Sequence, residues 1–343
     1  MLSSPEIRSL DDARAALAKA SCWIITDGKM GDRAHCLGIA ERLHLAAEDR
    51  VVAPRPPFTW LMPWGGIDPR EALSRVGSPL APPFPDLAIG SGRRAAPYLR
   101  HLKSASGGRV FTAFLKDPRS GTRTADFLWV PEHDRLRGAN VCVTLTSPHR
   151  ISPEKLAAAR AANAPWGTDA RPIVGLVLGG NSKDFQFSAA DEARLVADML
   201  VVIQQGWRLA ATPSRRTPAS LVAAISQLAL DHNGYCWGGA GENPYLAILA
   251  HADALIVTAD SVNMVGEAVA TGTPVYIARP SGGSRKIEQF LIGLDRLGAV
   301  RPFQAALERF TYGALDSTPT IAIALAQGYV VHRRRIATKD QSP

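Results

Sequence analysis

The sequence predicts an α/β protein of two domains, each built on a mainly parallel sheet flanked by helices. Three observations predict it. Short β-branched runs recur, each followed by a glycine or turn residue and then a helical pattern. The alternation pauses in a turn-rich stretch near residue 165 and then starts afresh. The chain has 343 residues, 46% hydrophobic and 20% charged, which is material for two cores of ordinary size.

The first twenty residues carry acids early and lack a continuous apolar stretch, so they read as a loop and a short helix rather than a secretory signal. Strands are expected at "CWIIT" (22–26), "RVVAP" (50–54), "DLAIG" (86–90), "RVFTAFL" (109–115), "DFLWV" (126–130) and "VCVTL" (141–145). A helix follows over 152–163, capped by Ser152 with Pro153 in its first turn. The turn formers of "APWGTDARP" place the boundary there, giving domains 1–165 and 166–315. The second domain repeats the pattern: "RPIVGLVLGG", a helix to about Gln205, "WRLAAT", a helix over 218–230, "YCWGG", "NPYLAILAHA", "ALIVTA", a helix, "PVYIA" and "SRKIEQFLIGLDRLG". Residues 316–343 are expected to form a helix over about 317–331 that packs back on the first domain. "HRRR" (332–335) then follows as part of a solvated basic tail.

The net charge of +8 suits anionic lipid headgroups, phosphorylated small molecules or nucleic acid as partners, without choosing among them. Cys22, Cys36, Cys142 and Cys236 form no CxxC pair, so neither a zinc site nor a disulfide framework is expected and a reducing compartment fits. No apolar run approaches the roughly 18 residues that span a bilayer. The expectation is a cytoplasmic protein, with peripheral contact at the inner face of an anionic membrane as the minority reading.

In open α/β sheets ligands sit outside the carboxyl ends of the strands, so each strand-to-helix loop is a candidate site. "TDGKMGDRAHC" (26–36) offers Gly28, Gly31 and helix-start amides to an anion, although it is neither GxGxxG nor a P-loop. It reads equally as a tight turn with Asp32 as helix N-cap, yet Asp27, Lys29, Asp32 and His35 are more ionisable groups than a turn needs. In "LGGNSKDFQF" (178–187), Gly179 and Gly180 permit close approach of a ligand, while Asn181, Ser182 and Lys183 offer donors and charge to a diphosphate; Ser188 reads as the cap of the next helix. "TPSRRTP" (212–218) sets Ser214, Arg215 and Arg216 in a short rigid loop, either a phosphate clamp or a solvated turn.

In "TADSVNMVGEAVATG" (258–272), Asp260 or Ser261 caps a helix that Gly272 closes. Asn263 and Glu267 share a face at i, i+4, beside an apolar stripe of Val262, Val265 and Val269. Glu267 is not explained as a capping-box partner and could accept hydrogen bonds from ribose hydroxyls; the alternative is a surface glutamate. His133 and His149 sit in loops as general bases or turn residues, and "GGAGENPY" (238–245) covers a nucleotide base or merely connects two elements. No metal-ligand spacing is present.

The run "ILAHADALIVTADSVNMVGEAVATGTPVYIA" resembles the donor half of GT-B glycosyltransferases. "WIITDGKMGDRAHCLGIAERL", "DPR", "VPEHD", "SPHRIS", "LGGNSKDFQF", "TPSRRTP" and "TADSVNMVGEA" together resemble the mitochondrial-fission Elm family over roughly 20–330. The resemblance implies a GT-B-like fold, two Rossmann-like parallel-sheet domains facing a central cleft. Glu267 would then bind ribose, Ser261 and the 179–183 loop the diphosphate, and the 27–32 loop would lie near the acceptor, with Asp32 or His35 as base by location. The implied activity is a metal-independent glycosyltransferase with an NDP-sugar donor, no resident cofactor, and a lipid-linked or cell-envelope saccharide as acceptor. No nucleic-acid partner is expected. Two alternatives stand beside it. One is a non-catalytic adaptor, since plant members of the family recruit a dynamin-related protein to mitochondria; the other is an NDP-sugar epimerase on the same scaffold.

Overall fold

The computed structural model describes residues 7–341. The chain forms two compact units, one from the chain up to Arg150 together with Ser317 onward, the other Ile151–Asp316.

The first unit contains α1 (Leu10–Leu17), β1 (Cys22–Thr26), α2 (Met30–Arg42), β2 (Ala47–Val51), α3 (Phe58–Leu61), β3 (Leu87–Gly90), α4 (Ala95–Ala105), β4 (Phe111–Leu115), β5 (Phe127–Pro131) and β6 (Val141–Thr144). Its strands are all parallel, in the order β2-β1-β3-β4-β5-β6. Strands β1, β3, β4 and β5 are buried along their whole length, because helices cover both faces of the sheet. Their near-continuous apolar sequence follows from that, and a separate apolar cluster packs on each face. Strand β2 lies at 47–51, three residues earlier than expected. At the sheet edge it has one neighbour, so the polar run "AEDRV" pairs with β1 while Val52 goes to the core.

The second unit contains α5 (Pro153–Ala161), β7 (Ile173–Leu178), β8 (Phe185–Gln186), α6 (Ala189–Gln204), β9 (Arg208–Pro213), α7 (Ala219–Asp231), β10 (Tyr235–Cys236), α8 (Tyr245–His251), β11 (Ala254–Thr258), α9 (Val262–Val269), β12 (Val275–Ala278), β13 (Ser281–Gly282), α10 (Arg285–Arg296) and β14 (Val300–Pro302). The parallel order is β10-β9-β7-β11-β12-β14, with β8 and β13 forming a small antiparallel ribbon.

Two expectations need correction. The boundary falls after Arg150 rather than at 165, because α5 packs on α8: Arg160 Nε donates to the Ala250 carbonyl at 2.8 Å, and the His251 ring lies 2.9 Å from the Ala159 carbonyl. The basic tail is instead helix. α11 (Thr318–Asp340) buries Ile321, Ala322, Leu325, Ala326 and Tyr329 in the first unit's core and continues through the basic run. His332 is buried with Nε2 at 3.1 Å from the Arg109 carbonyl, Arg333 meets Asp86 at 3.3 Å, and Arg335 donates to His332 Nδ1 at 3.1 Å. The start of α11 is tied by Ser317 Oγ, 2.6 Å from Thr146 Oγ1. Among the described residues no helix is long and apolar enough to cross a membrane.

Candidate functional site

At the carboxyl edge of the first sheet, Gly28 turns the chain with φ +79° and α2 begins at Met30. Lys29 is the N-cap and makes no side-chain cap bond. Asp32 is therefore not the cap; it lies in the first turn, buried, and its Oδ1 receives Ser91 Oγ and Lys116 Nζ, each at 3.2 Å. The Asp27 side chain is 1% exposed, with the Lys29 ammonium at 3.0 Å and the Arg94 guanidinium at 3.6 Å. Neither cation is aligned for a hydrogen bond, and both Asp27 oxygens lack one among the described residues. A buried carboxylate with unfilled acceptor capacity calls for a donor.

Ser91, Arg94 and Lys116 come from the ends of β3 and β4, and sequence reasoning did not put them in the site. The visible signal was "GSGRR" and "LKDPR", each directly after a strand. The two carboxylates beside the start of α2 are matched by Lys29, Arg94 and Lys116, so the loop of Asp27, Gly28, Lys29 and Gly31 lies in a cluster of paired charges.

Two candidate histidines of the first unit are buried. His35 is buried with its ring edge-on to Trp129, centroids 5.8 Å apart. That is the setting of a core histidine and argues against a general base. His149 is also buried; its backbone N–H donates to Thr318 Oγ1 at 3.2 Å, and a Cβ at Gly38 would come within 2.6 Å of its backbone carbonyl oxygen.

In the second unit the loop after β7 is spoken for by the protein itself. Its amides donate inward: Gly179 to Thr258 Oγ1 at 2.7 Å, Gly180 to Asp260 Oδ2 at 2.9 Å, Asn181 to the Arg216 carbonyl at 3.1 Å and Ser182 to the Phe185 carbonyl at 2.9 Å. A Cβ at Gly179 would sit 2.1 Å from an Asp260 oxygen, and one at Gly180 would sit 2.1 Å from the Arg216 backbone. The two glycines are thus required by close packing of protein on protein rather than by a ligand.

The hub is Asp260, whose side chain is fully buried. It receives Gly180 N–H, Thr258 Oγ1 at 2.7 Å and Arg216 Nη2 at 3.2 Å. Arg216 also reaches the Asn181 carbonyl at 3.1 Å, so it staples two loops. Ser214 closes its own turn with Thr217. Ser182 Oγ accepts from the Asp184 and Phe185 amides. The charges left outward are the exposed Arg215 and Lys183, the latter 3.9 Å from Asp184.

Ser261, not Asp260, caps α9, its Oγ accepting from Met264 N–H at 3.4 Å. Asn263 and Glu267 follow on α9, both partly exposed. Glu267 Oε2 accepts a 2.5 Å hydrogen bond from the Tyr245 hydroxyl. Burial, and then the Glu267 charge, pushes the Tyr245 hydroxyl well above its ordinary pKa, so it stays a donor at neutral pH. Asn243 Oδ1 accepts from Tyr245 N–H at 3.0 Å and from Thr212 Oγ1 at 3.1 Å, which ties the "GGAGENPY" loop to the end of β9. Among the described residues no group of three or more His, Cys, Asp or Glu is placed to hold a metal ion.

Two parallel α/β units of six strands each, with polar clusters at strand ends, define a protein of GT-B-like fold. The UDP-GlcNAc 2-epimerase of Methanocaldococcus jannaschii superposes with a TM-score of 0.52 at 9% identity, over 92% of this chain and 99% of that one. The Neisseria meningitidis UDP-GlcNAc 2-epimerase, solved bound to UDP-GlcNAc, gives 0.50 at 11% identity, over 94% of this chain and all of that one. The chain belongs to the family described as Mitochondrial fission ELM1, which matches residues 30–329. It is 26% identical over 289 residues to the mitochondrial fission protein ELM1 of Arabidopsis thaliana, covering 75% of this chain and 65% of that protein, so about a third of the plant protein lies outside the match. It is 25% identical over 347 residues to the uncharacterized protein RP120 of Rickettsia prowazekii, covering 88% of this chain and 96% of that one.

Proposed function

We propose that this chain is a glycosyltransferase that binds an NDP-sugar in its second unit and transfers the sugar to a saccharide acceptor, lipid-linked or of the cell envelope. The observation that carries the reading is Glu267. It is a partly exposed carboxylate on α9, oriented by the Tyr245 hydroxyl and two turns beyond a helix start capped by Ser261. Such a carboxylate suits the paired hydroxyls of a ribose, as in other dinucleotide folds. Arg215, Lys183 and the first amides of α9 supply positive charge and donors for a diphosphate. Asp260, neutralised by Arg216, fixes the loops that present them.

In the reaction the acceptor hydroxyl gives up its proton to a general base, and Asp27, whose buried oxygens lack hydrogen bonds among the described residues, is the first unit's candidate partner for a hydroxyl donor. The acceptor oxygen bonds to the anomeric carbon as the bond from that carbon to the diphosphate breaks. Arg215, Lys183 and the start of α9 stabilise the departing nucleoside diphosphate. Asp32 holds Lys116 and the Ser91 hydroxyl at the neighbouring strand ends. The NDP-sugar is consumed as substrate, and the scheme uses no metal. The cytoplasmic face of a membrane is where such an acceptor would be met.

A thermal-shift panel of nucleotides and NDP-sugars, including UDP-GlcNAc, tests the reading. Stabilisation of a few degrees at about 100 times Kd is expected from mass action. No shift with any of them would remove both the transferase and the epimerase. Sugar transferred only when acceptor is present supports transfer, while an epimerised donor without acceptor supports the epimerase. Partner capture without turnover supports the adaptor.

A further inference from the structure

The segment between β2 and β3 displays apolar side chains to solvent although it is firmly anchored. Met62 is buried, and Phe58 packs against the same core cluster. Arg100 Nη2 holds the Pro63 carbonyl at 2.6 Å and the Gly65 carbonyl at 3.0 Å. On this fixed platform Trp60 is 73% exposed, Leu61 56% and Trp64 68%. Single exposed apolar residues are ordinary on protein surfaces, but three within five residues, two of them tryptophan, form a patch.

Arginines ring the patch. Arg93 Nη2 donates to the Thr59 carbonyl at 3.2 Å, and the Trp64 indole donates to the Arg119 carbonyl at 3.2 Å. Arg55, Arg93 and Arg119 are exposed, and none makes an ion pair among the described residues. Asp68 is buried and paired with Arg70, and Asp117 accepts the Arg119 amide. The rim is thus cationic around an aromatic centre.

We propose that Trp60, Leu61 and Trp64 insert into the interface of an anionic lipid bilayer, with Arg55, Arg93 and Arg119 on the headgroups. Indole rings favour the boundary between hydrocarbon and headgroup, and reversible anchoring needs an apolar contact joined to a basic one. Size also favours lipid over protein. At roughly 150–250 Å² per aromatic side chain the patch offers at most about 500 Å², short of the roughly 800 Å² per partner of a stable protein interface.

The patch follows β2, while Asp27, Ser91 and Lys116 follow β1, β3 and β4, so all occupy the carboxyl edge of one parallel sheet. Arg93 adjoins Arg94, which pairs with Asp27, and Arg119 lies three residues after Lys116, which pairs with Asp32. Docking here brings the Asp27 cluster to a membrane surface. That the acceptor is lipid-linked rests on the transferase reading; the docking itself does not.

Vesicle sedimentation of the full chain tests it, using phosphatidylcholine vesicles with and without phosphatidylserine. Binding is expected on the anionic vesicles, weakened by high salt. The double variant Trp60→Ser, Leu61→Ser should bind at least about tenfold more weakly while keeping the wild-type melting temperature, since both side chains lie outside the core. Arg93→Ala with Arg119→Ala should lose the preference for anionic vesicles. Equal sedimentation with and without vesicles, or a serine variant that binds like wild type, would overturn the proposal. Self-association abolished by the serine variant, with no vesicle binding, would overturn it in favour of a protein interface. Nucleotide binding, measured without vesicles, stays separate from these outcomes.

Discussion

Tyr245 donates its hydroxyl hydrogen to Glu267 across 2.5 Å, joining the first residue of α8 to the outer half of α9. The bond fixes the carboxylate before any ligand arrives. Hydrogen bonds to a charged group contribute about 1.5–3 kcal/mol, so Glu267→Ala should weaken nucleotide binding roughly 10- to 100-fold. Tyr245→Phe, which leaves the carboxylate in place but loose, should weaken it less, by about three- to tenfold. Equilibrium titration of both variants with UDP checks the order; a Tyr245→Phe loss larger than that of Glu267→Ala contradicts the assigned roles.

Gly179→Ala would drive a methyl group into the buried Asp260 carboxylate, 2.1 Å from Oδ1. Overpacking of this kind costs about 1–3 kcal/mol. At roughly 2–4 °C per kcal/mol the melting temperature of the second unit should fall by several degrees. A scanning calorimetry trace at the wild-type temperature would show that the loop opens without cost.

Arg216→Ala removes the cation paired with the fully buried Asp260 side chain. Arg216 is itself half exposed, and solvent already screens the pair, so the expected loss is about 1–2 kcal/mol rather than that of a fully buried pair. Arg215→Ala, one residue away and outward, should leave stability unchanged and weaken nucleotide binding. Urea unfolding together with nucleotide titration of the two variants separates a stapling arginine from a ligand arginine.

These loops show where the sequence was legible. β1, β3, β4, β5, β7 and β11 were readable because strands buried on both faces keep an uninterrupted apolar run. β2 was misplaced because an edge strand carries no such signature. The polar loops were visible as loops, but their internal use was not. Gly180 and Asp260 are 80 residues apart, and nothing local says that the carboxylate consumes the amide. α5 looked like the end of the first domain because its partners, Ala250 and His251, come 90 residues later. "HRRR" looked like a tail because hydrophobic periodicity does not count a histidine as a core position, although His332 is buried.

The buried Asp191 and the partly buried Asp126 contribute to the response to acid. For Asp191 burial alone would raise the pKa, but hydrogen bonds from Ser281 and Ser188 outweigh it and hold the carboxyl well below the usual range. For Asp126 burial again opposes, and Lys103 and Thr112 lower it. A folded pKa below the unfolded value of about 3.9 contributes stability above that pH, lost as pH falls through the folded value. Stability should therefore be level above about pH 5 and decline below about pH 4. Asp191→Asn should cost about 1–2 kcal/mol at neutral pH through the lost capping box, and should flatten the acid limb. Urea unfolding across that range checks it; an unchanged acid limb in the variant contradicts the assignment.

Asp27 tests the chemistry apart from the donor. Asp27→Asn keeps the shape of a buried side chain that meets Lys29 and Arg94 and removes its capacity to take a proton. Loss of a general base should lower turnover about 10²- to 10⁴-fold and leave nucleotide affinity unchanged. His35→Gln should instead act on stability, since that ring packs on Trp129.

The most direct test of the central claim is a calorimetric titration of UDP and UDP-GlcNAc into the wild-type chain and into Glu267→Ala. Binding by the wild type, weakened at least about tenfold in a variant that remains folded, is the predicted result. Equal affinity in both proteins contradicts a nucleotide-sugar site on α9, and no binding by the wild type contradicts a uridine donor there.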